Sequence, residues 1–110
     1  MNDKDKIIIQ KIIGYIRDAI SFTEGLELEE FMRDKKTISA SAFAVGQIGE
    51  LVQELSDETI TNNPGIQWKN IRGMRNRLIH DYENIDFAIL WRTLRINLPE
   101  LLILLDDIAE

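Results

Sequence analysis

The chain has 110 residues, of which 45% are hydrophobic and 29% are charged, and it contains no cysteine. This length suits a single domain, residues 1–110, and the missing cysteines exclude disulfides and thiolate metal sites. The formal net charge of −6 argues against a protein that coats nucleic acid over its whole surface. The N-terminal residues do not form a secretory signal, and no apolar run approaches the roughly 20 residues of a membrane span. We therefore expect a cytoplasmic protein with no membrane partner.

Residues 4–22 form the first predicted element, an amphipathic helix. Apolar residues recur in it at three- and four-residue intervals, which places them on one face of the helix. These residues are Ile9, Ile12, Ile13, Ile16 and Ile20. A charged stretch follows, and a short extra helix is predicted near residues 27–34.

A second long helix is predicted over residues 39–60, with Ser39 as its N-cap. Its expected inner face consists of Phe43, Val45, Ile48, Leu51, Val52 and Leu55. Small residues occupy the first half of this helix, among them Gly46 and Gly49. Because small residues let another backbone come close, we expect a neighbouring helix to pack tightly there.

The second half of the chain predicts two more helices. The sequence NNPG at 62–65 is a strong turn signal, and a third helix is expected to start near Ile66. YENID at 82–86 interrupts the pattern, and a fourth helix begins near residue 86, with Pro99 bending or restarting it. LLILL at 101–105 is apolar on nearly every side, so we expect it to be buried all round or covered by a second subunit. The predicted fold is all-α, an up-and-down four-helix bundle.

Positive charge is concentrated in residues 68–80, WKNIRGMRNRLIH. This segment holds the only histidine of the chain, His80, and four basic residues but no acidic one. The basic residues are Lys69, Arg72, Arg75 and Arg77. A basic segment on an acidic background suits a localised anion site better than contacts spread along a nucleic-acid backbone.

At about 100° per residue, an ideal helix places Arg72, Asn76 and His80 in one row beside Lys69. Arg75 projects to the edge of the apolar face, where a guanidinium needs a partner such as a carboxylate, a facing subunit or a phosphate. Arg75 and His80 are separated by about 140° around such a helix. They can converge if the helix unwinds near His80, or they can act together across a two-fold axis.

These residue types suffice for RNA cleavage without a metal. Histidine can take a proton from a ribose 2′-OH at neutral pH, and arginine can bind the phosphate and stabilise the charge of the transition state. Asp106 and Asp107 diverge on their helix, there is no second histidine and no glycine-rich nucleotide loop, so we expect no metal and no cofactor. A simpler interpretation remains open, in which a helical bundle carries an incidental histidine and His80→Ala leaves function unchanged.

Two segments, residues 38–58 and 66–102, resemble the HepT-like branch of the HEPN superfamily, the toxin halves of HepT–MntA toxin–antitoxin pairs. The likeness covers about residues 5–106 and is strongest from Trp68 to Leu101. The family motif is an arginine, a polar residue, three further positions, a histidine, any residue and a tyrosine. Arg75, Asn76, His80 and Tyr82 match this motif without departure, whereas the stretch at 23–41 diverges.

The resemblance implies a HEPN-like bundle that forms a homodimer with two motifs facing one cleft. It implies a type VII toxin, a metal-independent endoribonuclease in which Arg75 and His80 are the catalytic pair and Asn76 supports them. The implied partner is an MntA-like nucleotidyltransferase antitoxin that transfers AMP to Tyr82. Lys69, Arg72 and Arg77 are then secondary contacts for the RNA substrate. The alternative is a helical, non-catalytic partner or substrate-binding subunit of a nucleotidyltransferase.

Overall fold

A computed structural model of the chain describes residues 1–78 and 85–109, apart from the side chains of Arg75, Arg77 and Leu78. These residues form helices, and no β-strand occurs among them. The helices are α1 (Asp3–Phe22), α2 (Leu28–Arg33), α3 (Lys35–Gln53), α4 (Asp57–Asn62), α5 (Trp68–Leu78), α6 (Phe87–Arg92) and α7 (Leu98–Ala109). A π-helical turn, Thr93–Asn97, joins α6 to α7. The prediction of an all-α bundle is confirmed.

Four long helical segments build the bundle, namely α1, α3, α5 and the continuous run from α6 to α7. The close packing is between α1 and α3, between α3 and α5, and between α1 and α7. In the described part of the chain, α5 and α7 are not among the closely packed pairs. One side of the bundle is therefore less tightly closed than the other three.

The hydrophobic core takes residues from every long segment. The predicted face of α1 is confirmed, except that Ile20 is only half-buried. On α3, Phe43 is 59% exposed and its ring contacts Tyr15 edge-on at a centroid distance of 6.2 Å, so its predicted place in the core is wrong. Residues 43 and 45 differ by about 200° around a helix, and Val45 is the one that points inward. The core residues with no more than 2% exposure include Ile9, Ile12, Ile16, Phe31, Val45, Ile48, Val52, Leu90, Leu94, Leu98 and Leu105.

The predicted second helix is in fact two helices. α3 begins at Lys35 because the carboxylate of Asp34 accepts hydrogen bonds from the Thr37 N–H at 3.1 Å and from the Thr37 hydroxyl at 2.7 Å. The hydrogen bonds from Thr37, first the one from its hydroxyl, lower the pKa of Asp34. Ser39 therefore lies inside the helix and is not its N-cap. The helix ends at Gln53, and Ser56 caps α4 by accepting from the Thr59 N–H at 3.3 Å.

A buried carboxylate joins α1 to α4. Asp5 is 1% exposed, and it accepts hydrogen bonds from the Ser56 N–H at 3.2 Å and from the hydroxyls of Ser56 and Thr59. Burial by itself raises the pKa of Asp5, but these hydrogen bonds and the charge of Lys4 outweigh it, so the pKa lies below its ordinary value of 3.8. This cluster fixes the start of α1 against the chain that leads towards α5.

The last helical run contains the expected irregularity at Pro99. Proline has no N–H, and its ring clashes with the carbonyl one turn before it, so a regular helix cannot pass through this position without adjustment. The chain widens into the π-helical turn just before it, where the Leu98 N–H donates to the carbonyl of Thr93. Beyond it, Leu101 and Leu105 are buried, while Ile103 is 71% exposed and Leu104 is 43% exposed. The LLILL segment is therefore not buried on all sides within one chain.

Gly49 sets the distance between α3 and α5. A Cβ at this position would lie 3.3 Å from the Arg72 carbonyl oxygen and 3.5 Å from that of Ile71. Both atoms belong to the backbone of α5, so they cannot move away as the end of a flexible side chain can. The predicted close approach at a small residue of α3 is confirmed, and it involves the helix that carries the basic segment.

The same substitution at two helical glycines should distinguish the effect of close packing on the free energy of unfolding from the effect of helix propensity. Gly49→Val should lower the free energy of unfolding by about 1–3 kcal/mol, because the added methyl groups push α5 away from α3. Gly14→Val is the matched control, since a Cβ there meets nothing within 4 Å, and its effect should stay within about 0.5 kcal/mol. Urea unfolding followed by circular dichroism measures both values. Equal effects at the two positions would contradict the close contact.

Candidate functional site

The helix α5 is held in the bundle by one face. Trp68, Ile71 and Met74 are buried, and the Trp68 Nε1–H donates to the carbonyl oxygen of Asn63 at 3.0 Å. These three residues are spaced by three positions, so they lie on one face of α5. The opposite face of the helix is exposed to solvent. α5 begins at Trp68 rather than near Ile66, which is the start predicted from the sequence.

The exposed side of α5 carries the predicted polar row. Lys69, Arg72 and Asn76 are all exposed to solvent, in agreement with the helical projection that placed them together. We call these three residues the basic ridge. Two cationic groups and a carboxamide on one accessible face can bind phosphate oxygens through charge and hydrogen bonds.

The other predicted site residues lie at the end of α5 or beyond it. The backbone of Arg75 and Arg77 belongs to α5, but their side chains lie outside the described part of the structure. His80 and Tyr82 also lie outside the described residues, as does most of the YENID segment. The convergence of Arg75 and His80 is therefore still a prediction. The described chain resumes at buried Ile85.

Residues that follow the motif tie the last helical run to the bundle. Asp86 caps α6 by accepting from the Ile89 N–H at 3.1 Å. Arg95, in the π-helical turn, donates from Nη1 to the carbonyl of Ile20 at 3.2 Å and to the Thr23 hydroxyl at 3.0 Å. Arg95 thus provides a hydrogen-bond donor and a positive charge at the carboxyl end of α1, which has no basic residue in its own last turn. We assign Arg95 to structure rather than to substrate binding.

An open groove lies between α5 and the run from α6 to α7, and the sequence analysis did not find it. Its volume is about 510 Å³. Its lining consists of Gly65, Gln67, Asn70, Ile71, Met74, Ile89, Thr93, Asn97, Leu98, Glu100, Leu101 and Leu104. The only sequence signal for it was the apolar excess of the LLILL segment, since the groove depends on how two separate helices are placed. We call it the α5–α7 groove.

The described part of the chain lacks both a metal-binding cluster and a membrane-spanning helix. No group of three or more histidine, cysteine or acidic side chains there is arranged to hold a metal ion. No helix among these residues combines the length and apolar content needed to cross a membrane.

Comparison with known proteins decides the family. The family model described as ribonuclease HepT-like matches residues 12–108, which include α5 and the whole motif. This chain belongs to the HepT-like ribonuclease family. No solved structure matches it significantly.

Relatives of this HepT-like protein share about a third of its residues. A protein of Thermococcus cleftensis named as a probable ribonuclease HepT is 32% identical over 92% of this chain and 92% of its own length. Two proteins of Methanocaldococcus jannaschii provisionally named as RNases are 33% and 35% identical. They cover 87% and 83% of this chain and 79% and 76% of their own lengths. The similarity thus extends over nearly the whole HepT-like domain and is not confined to the motif.

Proposed function

We propose that this protein is the toxin of a type VII HepT–MntA-like toxin–antitoxin system and cleaves RNA in the cytoplasm without a metal ion. One observation carries the proposal, namely that the HepT-like ribonuclease model matches residues 12–108 and so includes an intact motif from Arg75 to Tyr82. The exposed basic ridge on the same helix supports it, because its cationic residues Lys69 and Arg72 offer phosphate contacts immediately before the motif.

The chemistry assigns one role to each motif residue. His80 takes the proton of a ribose 2′-OH, and the 2′ oxygen forms a bond to the adjacent phosphorus. The bond from phosphorus to the 5′ oxygen of the next nucleotide breaks, and that oxygen leaves as a hydroxyl after receiving a proton. Arg75 binds the phosphate and stabilises the charge that develops on it, while Asn76 positions the substrate. The products are a 2′,3′-cyclic phosphate and a 5′-hydroxyl end.

The proposed active form is a homodimer. Because Arg75 and His80 point about 140° apart on a regular helix, one copy of α5 does not aim both at a single phosphate. Two copies that line one cleft can do so. Exposed apolar residues on the last helical run, Ile96 at 48% and Ile103 at 71%, support burial against a second copy. Sedimentation that shows a fully active monomer would contradict this arrangement.

The proposed regulation is transfer of AMP to Tyr82 by an MntA-like nucleotidyltransferase. The phenolic oxygen of Tyr82 forms a bond to the α-phosphorus of ATP, and pyrophosphate leaves. The product places a bulky anionic group two residues from His80. This group occupies the space that RNA needs and repels an approaching phosphate.

A second candidate is a non-catalytic helical subunit that binds a nucleotidyltransferase or its substrate. The formal net charge of −6 favours it, because an acidic protein repels RNA unless its basic residues are well focused. The two candidates differ in salt dependence. RNA binding should weaken steeply with added salt, whereas a largely apolar protein interface should not.

Cleavage in excess EDTA tests the proposal directly. Purified protein, shown by intact mass to carry no AMP, should cleave total cellular RNA, and cleavage should fall as salt is raised. Addition of the nucleotidyltransferase and ATP should add AMP and stop cleavage. Tyr82→Phe should cleave RNA but resist this modification, while Tyr15→Phe, at the only other tyrosine, should remain modifiable. Absence of cleavage by the unmodified protein would favour the second candidate.

A further inference from the structure

The α5–α7 groove is the least closed side of the bundle. α5 packs against α3 and α7 packs against α1, so the surfaces of α5 and α7 that face each other are left partly uncovered. The floor of the groove is apolar and buried, with Ile71 and Met74 from α5 and Leu98 and Leu101 from α7. Its volume of about 510 Å³ lies within the usual range of small-molecule sites.

The rim of the groove carries carboxamides. Gln67 and Asn70 lie on the α5 side, where the Asn70 Nδ2–H donates to the Gln67 Oε1. Asn97 lies on the opposite side, in the π-helical turn, and is exposed. The exposed carboxamide of Asn97 has both donors and an acceptor, so this rim can pair with a ligand that also has both kinds of group along one edge.

The charged side chains near the groove indicate which part of a nucleotide it can accept. The described lining residues include the carboxylate of Glu100 and no lysine or arginine, so this part of the lining disfavours a phosphate. The cationic side chains Lys69 and Arg72 stand on the exposed ridge of the same helix. Lys69 projects roughly opposite to Ile71 and Met74 on an ideal helix, so the ridge and the groove lie on different sides of α5.

A nucleobase has the chemistry that this groove accepts. It has flat apolar faces and an edge of hydrogen-bond donors and acceptors, and proteins read unpaired RNA bases by contacts to both. We infer that the α5–α7 groove binds one unpaired base of the RNA. This inference rests on the proposed ribonuclease function and extends it. It makes the groove the part of the protein that selects nucleotides near the cleaved bond.

Methionine methyl groups provide a direct test of base binding. The chain has three methionines, of which Met74 lines the groove while Met1 and Met32 are exposed elsewhere. In protein labelled with ¹³C-methyl methionine, titration with adenosine, guanosine, cytidine or uridine should shift the Met74 signal for at least one nucleoside. The Met1 and Met32 signals should stay in place. Ribose 5-phosphate, which lacks a base, should not shift Met74.

A matched pair of substitutions places the effect in the groove. Leu104→Trp fills one end of the groove and should raise the nucleoside concentration needed for the Met74 shift by about tenfold or more. Ile7→Trp, at an exposed position of α1 outside the groove, should leave the titration unchanged. In the cleavage reaction, Asn97→Ala should weaken the preference for one nucleotide beside the cut, as read by sequencing of the cleaved ends.

Several results would overturn the inference. A Met74 signal that no nucleoside moves, or that ribose 5-phosphate moves equally, would reject base binding. A signal that changes when the protein alone is diluted, but not with nucleoside, would assign the groove to a second copy. If the protein binds a base but cleaves no RNA, the base-binding groove is supported and the proposed ribonuclease function is rejected. The failure of one claim can therefore be told from the failure of the other.

Discussion

His80→Ala should lower the rate of RNA cleavage by about 10²–10⁴-fold, the usual contribution of a positioned general acid or base. Arg75→Ala should lower kcat by about 10²–10³-fold, because it removes charge stabilisation that acts mainly in the transition state. Circular dichroism checks that both variants keep the helical fold. Cleavage rates in EDTA with a defined single-stranded RNA measure these losses.

Substitutions in the basic ridge should have a different and smaller effect than His80→Ala and Arg75→Ala, so they serve as controls. Lys69→Gln and Arg72→Gln should raise KM more than they lower kcat, because the proposed function gives Lys69 and Arg72 phosphate contacts but no part in proton transfer. Each should also reduce the salt slope of RNA binding by about one unit. Wild-type rates in both His80→Ala and Arg75→Ala would reject the assigned mechanism and leave the bundle with an incidental histidine.

Asp5→Ala should lower the free energy of unfolding by about 2–3 kcal/mol, as expected when buried donors lose their partner. The substitution leaves the Ser56 N–H and two hydroxyl groups around position 5 without the carboxylate that accepts from them. Asp3→Ala is the matched control, because Asp3 is an exposed acidic residue in the same first turn of α1. Urea unfolding at neutral pH measures both, and equal losses would show that Asp5 acts only through the helix terminus.

The lowered pKa of Asp5 also predicts how the free energies of unfolding of wild type and Asp5→Ala depend on pH. The unfolded chain binds a proton near pH 3.8, while the folded protein binds it only at a lower pH. The stabilisation is therefore complete above pH 3.8 and is lost as the pH falls through the folded pKa. The stability difference between wild type and Asp5→Ala should narrow over that acidic range. A difference that does not change with pH would contradict the charged state of buried Asp5.

The helical elements were largely predictable because burial follows the 3.6-residue period. Ile9, Ile12, Ile13 and Ile16 of α1 are buried as expected, and the exposed row on α5 contains Lys69, Arg72 and Asn76 as projected. The wrong predictions concern the side chains that cap the helices and the direction in which the Phe43 side chain points. Asp34 caps α3 instead of Ser39, and Ser56 starts a new helix within a stretch that reads as continuous. These choices depend on which of several capping side chains meets a backbone N–H.

The sequence by itself determined the helical class, the basic segment on α5 and the motif from Arg75 to Tyr82. These features are local, since each depends on residue type and spacing along one helix. Only the tertiary structure decided that Gly49 lets α5 approach α3, that Arg95 completes the end of α1, and that a groove lies between α5 and α7. Each of these joins residues far apart in the chain. Their positions follow from how separate helices pack, which helical periodicity does not specify.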